Sequence, residues 1–399
     1  MSEKPHKKAR IGRRALLKGA GAMLVLVAGG GVWRAADQGV FDPEGGPAFR
    51  PWKTWRAEEE GPLALVSAAI LASNAHNTQP WIFRVGGSRI DLFADYKRGI
   101  GTIDPFQREM YIGLGCALEN LLLAARAGGY EHRLTLAPDR SNPVHAARID
   151  FSPGREEILP QYEAIPDRHT NRYPYDTARP VRQETLDALR ALNDERDVGV
   201  FWFATQAERR EVGGSLVEAA EAINADENQS YDNSEKWLRQ DRDAIHHYRD
   251  GLSLDTMGLS SPTLLAAKML PQPSLQTLAD EWLRAHERQV ETAAAFGIVA
   301  VRDYDDNAQR MRAGRLWQRM HLWMTEEKLA AQPMNQIHER ADREVELGIE
   351  PAFGDALEGF LRDPSWRGTF TFRLGYTAEQ TSPSPRRAAR SVVTKENSS

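Results

Sequence analysis

The chain has 399 residues, 41% hydrophobic and 27% charged, the composition of a globular protein with ample length to bury a core. Its single cysteine, Cys116, excludes an intramolecular disulfide and any cysteine-rich zinc site or iron–sulfur cage. Residues 1–35 hold eight Lys/Arg against one acid, so the remainder carries 43 basic and 55 acidic residues, a net charge of −12, which is no footprint for nucleic acid.

The first 35 residues read as an address. The stretch Arg10-Ile11-Gly12-Arg13-Arg14-Ala15-Leu16-Leu17-Lys18-Gly19 precedes a small-residue, apolar run from Ala20 to Val32. Basic region, short apolar region and polar chain is the export-signal pattern. The pair Arg13-Arg14 resembles a twin-arginine (Tat) signal. The apolar run is shorter than the ~20 residues of a spanning helix. Expected, then, is export through the Tat machinery to the periplasm, or membrane association through an uncleaved signal. Tat-type export carries folded proteins and suits one that acquires a cofactor beforehand.

Residues 36–60 are expected to be an irregular linker around Asp42-Pro43-Glu44-Gly45-Gly46-Pro47. Pro62–Ser73 predicts a helix with proline in its first turn. Strands are predicted at Trp81–Val85 and Arg89–Phe93 across Gly86-Gly87. Asp104-Pro105 opens a helix to about Ala127, stopped by Gly128-Gly129. Two short strands follow, at Arg133–Leu136 and Arg148–Phe151, then a linker over 152–164. Farther on, helices are predicted over 182–192, 207–223, 234–248, 276–290 and 306–328, with strands at Phe296–Val301 and Thr369–Leu374. Gly115, Leu118, Leu121 and Leu123 align with Gly314, Trp317, Met320 and Leu322 at one offset of 199, a faint internal repeat.

The motifs for a serine nucleophile elbow, a zinc-protease helix and a phosphate-binding P-loop are absent from the sequence. His246-His247 do not share a helix face, so they are not a metal pair. Three segments remain. In Ser73-Asn74-Ala75-His76-Asn77-Thr78-Gln79-Pro80-Trp81, six polar residues supply more donors and acceptors than a turn needs. Such a loop suits a planar heterocycle rimmed with nitrogens and carbonyls. Arg168-His169-Thr170-Asn171-Arg172 can clamp a phosphate or an anionic ring edge. Phe372-Arg373-Leu374-Gly375-Tyr376 leads to Arg386-Arg387, a second arginine pair suited to phosphate.

Together these segments resemble the nitroreductase family of flavoproteins. Leu114–Ala125, with Asn120, is similar to that family's small-residue helix, and Trp237, Arg239 and Asp250-Gly251 fit its Acg-type branch of tandem, exported or stress-linked FMN binders. The resemblance covers about residues 60–394. It implies an α+β fold with a first half at 61–155 carrying the loop and a second at 165–395 carrying the arginines, closed as an intramolecular pseudo-dimer and monomeric. It implies bound FMN, with Arg168, His169, Thr170, Arg172 and Arg386 or Arg387 at the phosphate and pyrimidine edge. Ser73, Asn74, Asn77 and Gln79 would reach the flavin from the other half, and Pro333, Met334 and Asn335 would lie near the ring. No acid–base side chain is implied. The activity implied is two-electron reduction of a nitroaromatic, quinone or similar small-molecule acceptor, with NAD(P)H or another donor. The alternative is a protein that stores or sequesters flavin. Each half lacks the other's motif, so the second interface site is expected to be empty or degenerate.

Overall fold

A computed structural model describes residues 33–57, 59–139, 141–271 and 273–395. The expected export signal, with Arg13-Arg14, lies outside the described residues. No helix among the described residues is long and apolar enough to cross a membrane.

The first half starts with α1 (Pro62–Ala69), whose proline occupies the first turn. It continues with β1 (Trp81–Val85), β2 (Arg89–Ala94), α2 (Arg108–Ala127), β3 (Tyr130–Leu136) and β4 (His145–Pro153). The second half holds α3 (Gln183–Ala191), β5 (Val198–Phe203), α4 (Gln206–Ala225), α5 (Glu227–Ser234), α6 (Arg242–Tyr248), α7 (Ser261–Met269), α8 (Leu275–Glu291) and β6 (Ala295–Val301). Then follow α9 (Asn307–Glu326), β7 (Ala330–Pro333), α10 (Gln336–Leu347), α11 (Ala352–Leu361), β8 (Arg367–Gly375) and β9 (Val393–Lys395). The fold is α+β.

The two main sheets share one strand order. The first runs β9-β1-β2-β4-β3 and the second β5-β6-β8-β7, so β1, β2, β3 and β4 correspond to β5, β6, β7 and β8. The pairs β1–β2, β2–β4 and β3–β4 are antiparallel, as are their counterparts. A central helix, α2 or α9, follows β2 or β6 in each half. The halves differ in insertions: α4 to α8 lie between β5 and β6, where β1 and β2 form a hairpin.

The central helices pack against each other at two glycines. A Cβ on Gly115 would lie 2.1 Å from the Met311 carbonyl oxygen, and one on Gly314 would lie 2.0 Å from that of Ile112. No side chain fits at either place. Both glycines and both carbonyls are related by the offset of 199 read from the sequence, so the repeat is a pseudo-two-fold axis through this seam. Leu114, Leu118, Leu121, Trp317, Met320 and Leu322 fill the core beside it.

Several expectations need correcting. Residues 36–60 are not merely irregular: Arg50–Thr54 is a short helix, Trp52 and Trp55 are buried, and Trp52 Nε1 donates to the Ser384 carbonyl at 2.7 Å. The helix expected over 234–248 breaks, because Asp241 caps a new one by accepting from the Ala244 N–H. The segment from 165 to 395 does not stay in one half, since β9 pairs in parallel with β1 of the first sheet.

Candidate functional site

On one flank of the α2–α9 seam lies a cavity of about 1370 Å³, above the ~300–1,000 Å³ usual for a small-molecule site. Its floor is formed by Ile112, Gly113 and Cys116 of α2 with Trp317 of α9 and Phe370 of β8. Small residues on α2 leave the space open. Ser73 and Asn74 enter from the first half, and Thr170, Arg172, Pro333 and Asn335 from the second. Residues of α5, α8 and the chain between them close the outer side.

The loop is held in an unusual backbone state. His76, Asn77 and Gln79 have φ of 47°, 53° and 54°, a left-handed conformation that non-glycine residues rarely adopt. Such strain persists only where surrounding contacts over-determine it. Here Asn74 Oδ1 accepts from the Gln79 N–H at 2.8 Å, and Asn77 Nδ2 donates to the carbonyls of Gly251 and Pro385, each at 2.9 Å. Gln79 Nε2 donates to the Arg249 carbonyl at 2.8 Å, and Gln79 Oε1 accepts from the Arg387 N–H at 2.9 Å. The guanidinium of Arg386 donates to Asn77 Oδ1, and that of Arg387 to the Gln79 carbonyl. Ser73 is placed by a buried chain: its N–H donates to Gln318 Oε1, and Gln318 Nε2 donates to Asn120 Oδ1. Trp317 Nε1 donates to Ser73 Oγ at 3.3 Å.

Arg172 carries positive charge on the wall. Its Nη1 donates to the Thr256 carbonyl at 3.0 Å, and no carboxylate of the described residues forms an ion pair with it. Burial pushes its pKa down to about 10, still charged at neutral pH. Just behind the wall, Arg168 and Arg386 are 3% exposed, and the Nε of each lacks an acceptor. Arg168 donates to the Leu71 carbonyl at 3.1 Å and Arg386 to that of Ala72 at 3.2 Å. Burial pushes Arg168 down to about 10. His169 packs edge-on against Trp52, and burial, with the charges of Arg168 and Arg386, pushes it down to about 3.

The predicted residues therefore divide. Ser73, Asn74, Thr170, Arg172, Pro333 and Asn335 meet on the cavity wall. Arg168, His169 and Arg386 form a buried cationic group behind it. Asn77, Gln79 and Arg387 are not on the wall, because their polar atoms are used to clamp the loop to the C-terminal segment. Met334 is not on it either: its side chain is fully buried in the core of the second half, beside Ile337 and Leu357. Residues with no motif complete the wall, among them Trp317, Glu109 and Glu339. Asn120 acts indirectly, through Gln318.

No protein-family model matches the chain. It is 33% identical over 113 residues to a Mycobacterium tuberculosis protein named "Putative NAD(P)H nitroreductase acg", covering 28% of this chain and 34% of that protein. Rv3131 of the same organism, which bears the corresponding name, is 30% identical over 117 residues, covering 28% and 33%. Over these stretches the chain is similar to nitroreductases. It spans about a third of the length of the curated relatives it matches. Among solved structures, a Bacteroides fragilis nitroreductase with bound FMN aligns at 12% identity and TM-score 0.33, covering 56% of this chain and 90% of that one. The FMN-dependent nitroreductase NfnB of Mycobacterium smegmatis, in complex with NADPH, aligns at 13% and 0.30, covering 60% and 94%.

The opposite flank of the seam is closed. Moving Gly113, Cys116 and Asn120 by 199 positions gives Arg312, Arg315 and Arg319. Arg312 pairs with Asp197, and Arg315 with Glu119 at 2.9 Å and Glu195 at 3.3 Å. Arg319 pairs with Asp194 at 2.7 Å and Glu119 at 3.3 Å. Where the first flank has space, this one has three guanidinium groups and their acids.

Proposed function

We propose that the chain is an FMN-dependent oxidoreductase of the nitroreductase type, with one flavin site per chain, that reduces a nitroaromatic, quinone or similar acceptor by two electrons. The observation that carries this reading is the open flank itself. A large cavity joins the Ser73-Asn74 loop of one half to Thr170 and Arg172 of the other, and among the described residues no carboxylate is ion-paired to Arg172. The donor set on the wall fits the group: the Arg172 guanidinium, held only by the Thr256 carbonyl, stands with Thr170, Ser73 and Asn74, and the buried charges of Arg168 and Arg386 behind the wall add positive potential for a phosphate. The similarity to proteins named NAD(P)H nitroreductases supports the activity, with NAD(P)H as the donor.

In this reading Arg168 and Arg386 would draw the phosphate toward their side of the cavity by charge, from behind the wall. Arg172 would place a fixed cation at the pyrimidine edge, where charge develops on reduction. Ser73, Asn74 and Thr170 would orient the ring by hydrogen bonds, and Trp317 and Phe370 would keep water from its inner face. When bound, FMN supplies the hydride and electron-transfer chemistry. The tandem, Tat-exported and periplasmic character belongs to the same proposal, as does a monomer whose halves replace two subunits.

The direct test is the visible spectrum of the purified protein, with identification of the released chromophore. Flavin absorbance and FMN are expected; a colourless protein that fails to take up FMN would refute the reading. A second reading is flavin storage, favoured by the cover that α5, α8 and the chain between them place over the cavity. Steady-state oxidation of NAD(P)H by the holoprotein with a quinone separates the two. Turnover supports the oxidoreductase, and its absence with flavin retained supports storage.

A further inference from the structure

Four carboxyl groups surround one buried guanidinium where α2 and α10 meet beside the cavity. Arg108 is fully buried; its Nε donates to Asp342 at 2.9 Å and its Nη2 to Glu109 at 3.3 Å. Asp342 also accepts from the Tyr304 hydroxyl at 2.6 Å. Asp104 accepts from the backbone N–H groups of Glu109 and Met110, both at 3.0 Å, at the N-terminal turn of α2. Each of these three carboxylates therefore has donors. The fourth, Glu339, is 4% exposed; its Oε2 finds no partner among the described residues, and its side chain bonds to another carboxyl, that of Glu109. Glu109 and Glu339 both stand on the cavity wall, while Asp104 and Asp342 lie off it.

A buried carboxylate without a donor is costly, and four charges cannot be balanced by one guanidinium. The remaining neighbours do not change the count. His338 bonds to Thr371 Oγ1, and burial beside Arg108 holds it far below its usual pKa, so it is neutral. Burial lowers His76 as well. Arg340 donates to Gln229 and pairs with Asp226 at 3.5 Å, and Arg310 donates to the carbonyls of Tyr304 and Phe106 and pairs with Asp305 at 3.6 Å. We propose that Glu339 holds a proton at neutral pH, donates it in a hydrogen bond to Glu109, and is the internal proton donor to an acceptor bound in the cavity.

Burial and the negative charge of Glu109 act in the same direction, raising Glu339 well above the usual carboxylate range. Burial also raises Asp104, to about 7, against the pull of Arg108 and its two backbone donors. The inference rests on the oxidoreductase reading for its acceptor. A quinone or nitro oxygen that receives two electrons from the NAD(P)H-class donor becomes basic. The O–H bond of Glu339 then breaks, an O–H bond forms on the acceptor, and Glu339 is left as a carboxylate until it regains a proton from solvent. A proton source poised in this way adds about 10²–10⁴-fold to such a step.

The test compares the full chain, as purified, with Glu339→Gln and Glu109→Gln. Infrared difference spectroscopy at pH 7 should give a protonated-carboxyl carbonyl band that shifts in D₂O and is lost in Glu339→Gln. In Glu109→Gln the band should persist at low pH and vanish at a lower pH than in the wild type, because the like charge is gone. With NAD(P)H and a quinone, Glu339→Gln should lower kcat roughly a hundredfold with KM little changed. It should also flatten the alkaline fall of kcat. Absence of the band from the wild type, or an unchanged kcat in Glu339→Gln, would overturn the proposal. A wild type that binds no flavin and oxidises no donor would instead refute the parent reading, and the infrared band, which needs neither, still decides whether Glu339 holds the proton.

Discussion

The two flanks of the α2–α9 seam are built on equivalent backbone and end in opposite states. Gly113 and Cys116 border a cavity large enough for a cofactor, whereas Arg312 and Arg315 at the equivalent positions are tied into ion pairs with Asp197, Glu195 and Glu119. The seam itself is shared, since both flanks depend on Gly115 and Gly314 to bring the helices together. What separates a cavity from a plug here is side-chain volume and charge at three pairs of equivalent helix positions. The arginines of the closed flank are paired with acids; Arg168, Arg172 and Arg386, at or behind the open one, lean on carbonyls and neutral side chains.

The largest expected effect comes from breaking what the flanks share. Gly115→Val drives a side chain into the Met311 carbonyl and should cost about 3 kcal/mol or more in denaturant unfolding. An unchanged midpoint would mean that the helices are not in this contact. Next in size is Arg172→Ala on the open flank. Loss of a charge-assisted contact of ~1.5–3 kcal/mol should weaken FMN roughly tenfold to a hundredfold, measured by flavin retained through dialysis. Arg315→Ala sharpens the contrast from the other side. It strips donors from Glu119 and should lower stability by about 1 kcal/mol, a pair still partly in reach of water, while flavin affinity stays at the wild-type value.

The smallest effect is a pH dependence. His169 is buried neutral behind the open flank, with its pKa depressed from 6.5 to about 3. The unfolded chain then binds the extra proton, so this contribution is present above about pH 6.5 and is lost as pH falls toward 3. Thermal midpoints should drop on acidification through that window, and His169→Gln should make the drop shallower.

How legible was this in the sequence? Elements with local signals were. The hairpin across Gly86-Gly87, the stop at Gly128-Gly129 and the 199-residue offset all reappear, because turn chemistry and helix period are short-range. The strand Val198–Phe203 was not read, since a short continuous apolar run does not declare itself strand or helix. The site was legible in part for a similar reason. Ser73, Asn74, Thr170 and Arg172 sit in motifs that mark the cavity, but the use of Asn77 and Gln79 as clamps depends on Pro385, Arg386 and Arg387, about 308 residues away. Glu339 belongs to no motif. Its character comes from Arg108, Asp104 and Glu109, brought to it by folding, and from the donors it lacks.

The central claim is that one flank holds flavin and the other is filled. The measurement that tests it most directly is the flavin content per chain of the full-length protein, from absorbance and quantitative amino-acid analysis, with its mass in solution. One FMN per chain on a monomer is the predicted result. Two flavins per chain, or one flavin shared by two chains in a dimer, would contradict it.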